Sequence, residues 1–146
     1  MTRRAVSTNS APPAAGPYSQ AISTDALVFC AGQIGTDPTT GQLVEGVEAQ
    51  TERVIRNLEA VLDAAGCTLA DVVKTTCFLA DINDFNTFNG VYARFFPDPP
   101  PARSTFGVAA LPKGALVEVE AIAARAGACP TPVRLTLRAP DPRMPA

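Results

Sequence analysis

The chain reads as a single α+β domain in which one sheet packs on two helices, in the order β-β-α-β-α-β. Three observations carry this reading. Residues 47–65 and 84–95 each set their apolar side chains on one helical stripe. The segments around and between them are strand-length and rich in β-branched or aromatic residues. A length of 146 residues fits one domain, and a chain of this size buries enough surface to fold without disulfides or a metal.

Residues 1–15, with their Ser, Asn, Ala and prolines, read as a flexible N-terminal arm, residues 16–125 as the domain, and residues 126–146 as a Pro/Arg-rich tail. Residues 18–23 and 26–31 flank Thr24-Asp25 and predict a hairpin. The two glycines of Gly32-Gln33-Ile34-Gly35 mark a bulge or a close backbone approach, and residues 36–41 a loop. In the first helix Val54, Ile55, Leu58, Val61, Leu62 and Ala65 form the stripe, and Gly66 is its left-handed stop. Thr68 and Asp71 have the spacing of a capping box for a single turn. Residues 72–80 read as a strand.

The second helix carries Phe85, Phe88, Val91, Tyr92 and Phe95, with Asp81 or Asn83 as its cap and Pro97 and Pro99-Pro100-Pro101 as its end. Residues 103–110 read as a strand, 111–114 as a turn and 115–124 as the last strand. There, Val117, Val119, Ala121 and Ala123 point toward the helices, and Leu116, Glu118, Glu120 and Ile122 point away. Two helices cover one face only. The second face, apolar around two carboxylates, predicts cover by another subunit.

Composition excludes more than it assigns. The chain has no histidine and no tryptophan. A Ser-His-Asp triad, a Cys-His pair, an imidazole base and a His-ligated zinc are all ruled out. Twelve Lys or Arg against fourteen Asp or Glu give a net charge of −2, no footprint for nucleic acid. Residues 5–124 hold six basic and thirteen acidic side chains, whereas the tail has Arg125, Arg134, Arg138 and Arg143 against Asp141. That tail is either solvated or a contact for an anionic partner. Cys30, Cys67, Cys77 and Cys129 make no CxxC pair and no metal spacing, and read as reduced thiols of a cytoplasmic protein. No apolar run is long enough to span a membrane, and no secretory signal opens the chain. The Ser-rich, acid-poor start has a transit-peptide flavour, but Pro12 and Pro13 interrupt any amphipathic helix there.

Catalysis therefore falls to carboxylates, Arg, Lys, Tyr, Ser, Thr, Cys, backbone groups or a bound cofactor. Glu118 and Glu120 share a strand face about 7 Å apart. They are either a solvated pair or, with one pKa raised by like charge and apolar surroundings, a group able to activate water. Arg103, held where a proline run meets a strand, is either a surface side chain or a bidentate grip for a carboxylate. Tyr18 lines a pocket or covers the core edge. Gly32 offers a backbone amide or relieves crowding, and Asn89, off the aromatic stripe, reads as surface. The Gly32-Gln33-Ile34-Gly35 run has no phosphate-loop spacing, and no metal or cofactor motif is present.

Several motifs occur together and in order: GPYSQAI around Tyr18, AGQIGTDPTTG with Gly32, AAG at 64–66, DVVKTTCFLADINDF at 71–85, FNGVYARFF at 88–96, and PARSTFGVAALPKGALVEVEAIA at 101–123. Over residues 15–124 the chain resembles the reactive intermediate deaminase family (RidA, also called YjgF). The resemblance implies a chorismate-mutase-like fold, with one mixed sheet on two helices. It implies a homotrimer around a central barrel, with ligand pockets between subunits. It also implies hydrolysis of 2-imino acids, formed by enamine tautomerisation, to 2-keto acids and ammonia, with no cofactor and no metal. Carried over by position, Arg103 binds the substrate carboxylate and Glu120 activates water, its pKa raised by partial burial and by Glu118. Tyr18, Gly32 and Asn89 line the pocket. Two positions depart from the family pattern: Ala31 stands where a Ser often precedes the Gly, and Thr105 where a Cys often follows the Arg. Thr105 keeps a hydroxyl for the ligand and Ala31 does not. Three alternatives stay open: a trimeric 2-keto acid or amino acid binding protein without turnover, a related hydrolase of the same fold in a catabolic pathway, and an RNA-directed or chaperone-like role.

Overall fold

The computed structural model describes residues 1–126; the tail beyond, with Cys129, lies outside the described residues. Six strands form one sheet: β1 (Arg4–Val6), β2 (Ala21–Ser23), β3 (Leu27–Ile34), β4 (Val72–Leu79), β5 (Ala102–Gly107) and β6 (Val117–Ala124). Two helices, α1 (Val47–Ala64) and α2 (Phe85–Tyr92), pack on one face. The sheet order is β1-β2-β3-β6-β4-β5. Every pair is antiparallel except β4–β5, which is parallel, so the sheet is mixed. A parallel pair needs a crossover, and α2 supplies it.

α1 forms where its stripe predicts. Val54, Ile55, Leu58, Val61 and Leu62 are fully buried, and the chain leaves the helix through Gly66 in the left-handed region (φ 77°). The box of Thr68 and Asp71 caps a single 3₁₀ turn: the Asp71 carboxylate accepts from the Thr68 amide at 2.7 Å. The sheet supplies the facing layer, with Val28, Cys77, Leu79, Val117, Val119 and Ala123 buried against the helices. Two buried amides lock α1 to the loops beneath it. Asn57 Nδ2 donates to the carbonyls of Ile34 (3.1 Å) and Thr36 (2.9 Å). Gln50 accepts from the Leu116 amide (2.8 Å) and donates to the Val44 carbonyl (3.0 Å).

The structure adds a strand at residues 4–6, inside the stretch read as irregular. Arg4, Ala5 and Val6 pair with Ser23, Ile22 and Ala21. Three residues show no periodicity, and their pairing depends on a partner fifteen or more positions away. α2 ends at Tyr92 rather than 95, and β5 at Gly107 rather than 110. Asp81 is the cap, but of a 3₁₀ turn (Ile82–Asp84) that precedes α2, through the Asn83 amide at 2.9 Å.

Candidate active site

The strand registers sort the candidate residues onto two faces. Arg103 pairs with Thr75 and Thr105 with Cys77. Thr75 and Cys77 are buried on the helix side, where the Thr75 and Tyr92 hydroxyls meet at 2.7 Å. Arg103 and Thr105 therefore share the helix face. Glu120 pairs with Thr76 and Glu118 with Phe78, on the opposite, uncovered face. A strand alternates its side chains, so Arg103 and Glu120 do not meet within one chain.

On the helix side, the half-buried Arg103 guanidinium stacks on three rings of α2: 4.8 Å from the Tyr92 centroid, 5.5 Å from Phe85 and 5.6 Å from Phe88. This seat follows from the sequence. The proline run ends α2, returns the chain and starts β5 beside the aromatic stripe. No carboxylate among the described residues forms an ion pair with Arg103. A partly desolvated cation held by ring faces keeps its planar fork of donors free for a ligand anion. It opens into a cleft of about 620 Å³ together with Asn89, Tyr92, Phe96 and Pro101. Asn89 is not simple surface: its Oδ1 is buried and has no hydrogen-bond partner among the described residues. The Thr105 hydroxyl is likewise buried and unpartnered, a polar group that a ligand can satisfy.

On the uncovered side, Tyr18, Ala31, Gly32 and Glu118 line a cavity of about 350 Å³ with Gln20, Ile34 and residues 12–15. The register slips between Cys30 and Gln33, the bulge that the glycines predict. A Cβ at Gly32 would overlap the Glu118 carboxylate, with Cδ at 2.9 Å, and would push that side chain aside. Gly35 presses on the Gln50 backbone in the same way. The Tyr18 hydroxyl accepts from the Ala15 amide at 3.1 Å, leaving its proton to donate into the cavity.

Burial, reinforced by the charge of Glu120, pushes the Glu118 carboxyl above its usual range. Within the single chain Glu120 is exposed rather than partly buried, and it lies outside the lining of both cavities. The expected pair of carboxylates is thus present with their roles divided, Glu118 in the cavity and Glu120 beside it. Sequence reasoning missed the aromatic seat of Arg103, having assigned Tyr92 to the core, and missed Gln20, whose only signal was its place in the PYSQ motif. Cys30 and Cys77 are buried thiols, pushed by burial up to about 12 and about 11. Such groups behave as small hydrophobes. Among the described residues no three His, Cys, Asp or Glu side chains gather as a metal-binding group, and no helix is long and apolar enough to cross a membrane.

Comparison with known proteins bears on this geometry. A human protein named 2-iminobutanoate/2-iminopropanoate deaminase is 51% identical over 124 residues, 84% of this chain and 90% of the relative. Reactive Intermediate Deaminase A, chloroplastic, of Arabidopsis thaliana is 53% identical over 124 residues, 84% of this chain and 66% of the relative. Among solved structures, RidA from an Antarctic Psychrobacter superposes with a TM-score of 0.82 at 44% identity, covering 84% of this chain and 99% of that one. E. coli TdcF with bound serine superposes at 0.80 with 41% identity, covering 84% and 99%. The fold shared with these neighbours is the chorismate-mutase-like arrangement expected from the motifs. Residues 8–125 match the family described as Endoribonuclease L-PSP, and on all of these grounds the chain belongs to that family, the RidA/YjgF proteins.

Proposed function

We propose that the protein hydrolyses reactive 2-imino acids to 2-keto acids and ammonia, at sites formed between copies of the chain. The observation that carries this reading is Arg103: a half-buried cation, seated on three rings, with no acidic partner among the described residues. An anion completes it, and a carboxylate matches its fork bidentately. The relatives named as deaminases of 2-iminobutanoate and 2-iminopropanoate supply the substrate class.

In this reading Arg103 holds the carboxylate and fixes the imine carbon. Glu120 of a neighbouring copy takes a proton from water as the water oxygen bonds to that carbon and the C=N electron pair moves to nitrogen. The proton passes to the nitrogen to give a carbinolamine; Glu120 then takes the carbinolamine hydroxyl proton and hands it to the amine nitrogen as the C=O bond forms, the C–N bond breaks, and ammonia leaves the 2-keto acid. Glu118, two residues before on the same face, adds negative potential beside it. The Tyr18 and Thr105 hydroxyls and the Gly32 backbone hold the remainder of the ligand. The need for a second copy follows from the opposite faces of Arg103 and Glu120. The exposed Phe29 and Phe106 on or beside the uncovered face favour it too. A homotrimer is the arrangement that the family resemblance implies, and a cytoplasmic setting suits the buried reduced thiols.

Although the family carries a nuclease description, thirteen acidic against six basic residues over 5–124 disfavour an RNA substrate. A binder without turnover is the second reading, supported by the serine held in the related TdcF structure. The test is ammonia or keto-acid release from freshly generated 2-iminopropanoate. Wild type should exceed buffer, and Arg103→Ala should lose most of the excess. No excess, or an Arg103→Ala variant equal to wild type, overturns the reading. Saturable keto-acid binding without release identifies the binder.

A further inference from the structure

The cavity beside Gly32 has one wall that belongs to no helix or strand. Residues 12–15 form it, contributing Pro12, Pro13, Ala14 and Ala15, and Ile34 faces them from β3. An irregular segment holds a shape only where something fixes its backbone. Here most of that falls to one side chain. Gln20 is 4% exposed. Its Oε1 accepts from the Thr8 amide at 2.7 Å, and its Nε2 donates toward the carbonyls of Thr8 (3.1 Å), Ala11 (3.4 Å) and Pro12 (2.7 Å). Its own backbone carbonyl accepts from the Ala31 amide at 2.9 Å, so one residue ties the wall to the Ala31–Gly32 floor. The hydroxyl of Tyr18, two residues earlier, holds the far end of the wall at Ala15.

The wall is apolar and the opposite floor carries Ala31 rather than a hydroxyl residue. A ligand whose carboxylate points to Arg103 has its side chain left to place, and the side of the cavity formed by residues 12–15, Ala31 and Ile34 accepts one without hydrogen-bonding groups, away from Glu118 and Lys113. We propose that Gln20 is a positioning residue: by clamping residues 8–12 it sets the apolar wall that selects 2-imino acids with unbranched aliphatic side chains longer than methyl. The inference rests on the deaminase reading for its substrate and on the clamp geometry for its residue. A glutamine is suited to the role because one amide both accepts and donates along the same short stretch of backbone. A methionine fills the same volume and can do neither.

The experiment compares 2-iminopropanoate with 2-iminohexanoate, which adds three methylenes. Each buried methylene is worth about fourfold, so wild type should favour the longer substrate in kcat/KM by at least about tenfold. Gln20→Met should erase most of that ratio through KM. Ala14→Leu, which narrows the cavity from the wall itself and leaves the clamp alone, should reverse the ratio, and it serves where Gln20→Met does not fold. Equal losses on both substrates in Gln20→Met would show a merely structural residue and overturn the proposal, as would a wild type without chain-length preference. If wild type hydrolyses neither imine, the deaminase reading falls. Calorimetric titration with 2-ketopropanoate and 2-ketohexanoate then decides the wall by itself: chain-length preference lost in Gln20→Met supports it, and no preference in wild type overturns it.

Discussion

The two cavities differ in charge, in construction and in how far apart their parts lie in the chain. The cleft at α2 and β5 is cationic and aromatic, and its residues Asn89, Tyr92, Phe96 and Arg103 come from one stretch of fifteen positions. The cavity at β3 is largely apolar with Glu118 and Lys113 at its edge, and its residues come from three separate stretches, 12–20, 31–36 and 112–118. The first is shaped by a helix stripe and a proline run, both local. The second is shaped by a bulge, a glutamine clamp and a close glycine approach, none of them local. Neither alone can hold a carboxylate and activate water. Strand alternation puts them on opposite faces, so the proposed chemistry calls on a neighbouring copy to bring one to the other.

Removing the proposed base should have the largest effect. Glu120→Gln is expected to lower kcat about 10²–10⁴-fold, the usual worth of a positioned general base, with KM little changed. A loss confined to KM would reassign Glu120 to binding. Arg103→Ala should lower kcat/KM about 10²–10³-fold, as two charge-assisted hydrogen bonds vanish. These two inactive variants sharpen the comparison further. Refolded together, random assembly pairs an intact Arg103 with an intact Glu120 in about one quarter of sites. Recovery of roughly that share of activity is the expected outcome, and no recovery would place the whole site within one chain.

Smaller effects probe how each half is held. Thr75→Val leaves the buried Tyr92 hydroxyl without its 2.7 Å partner and should cost about 1–3 kcal/mol in urea unfolding, loosening the ring nearest Arg103. The smallest expected effect concerns Glu118. Its folded pKa lies above the ordinary value of 4.5, so the native state binds the proton more tightly than the unfolded one. Stability is then lost as pH rises from 4.5 through the raised value. Glu118→Gln should remove that slope, gaining on wild type in melting temperature between pH 4 and 7 by on the order of 1 °C. A slope unchanged by the substitution would mean that other groups set it.

The local cleft was legible because its causes are local. The stripe of Phe85, Phe88 and Tyr92 and the prolines before Arg103 can be read in order, and so can the alternation that sets Glu118 and Glu120 apart from Val117 and Val119. What the residues alone left open was long-range. Nothing in Arg4-Ala5-Val6 announces a strand until Ala21–Ser23 lies beside it. Nothing in Gln20 announces a clamp until residues 8–12 fold back over it. Asn89 read as surface because a helical wheel knows its own helix and not the strand that passes it. The assignment of Arg103 and Glu120 to one chemistry came from motif resemblance rather than from periodicity, which by itself separates them.

The place of β6 in the sheet makes it the joint between two halves. β3 and β4 each reach the other half of the sheet only through β6. Without residues 117–124, the strands β1–β3 and the pair β4–β5 have no strand to join them. A substitution that keeps β6 out of the sheet would leave β3 and β4 as open edges, the kind that pair with wrong partners. The same strand that completes the fold delivers both carboxylates.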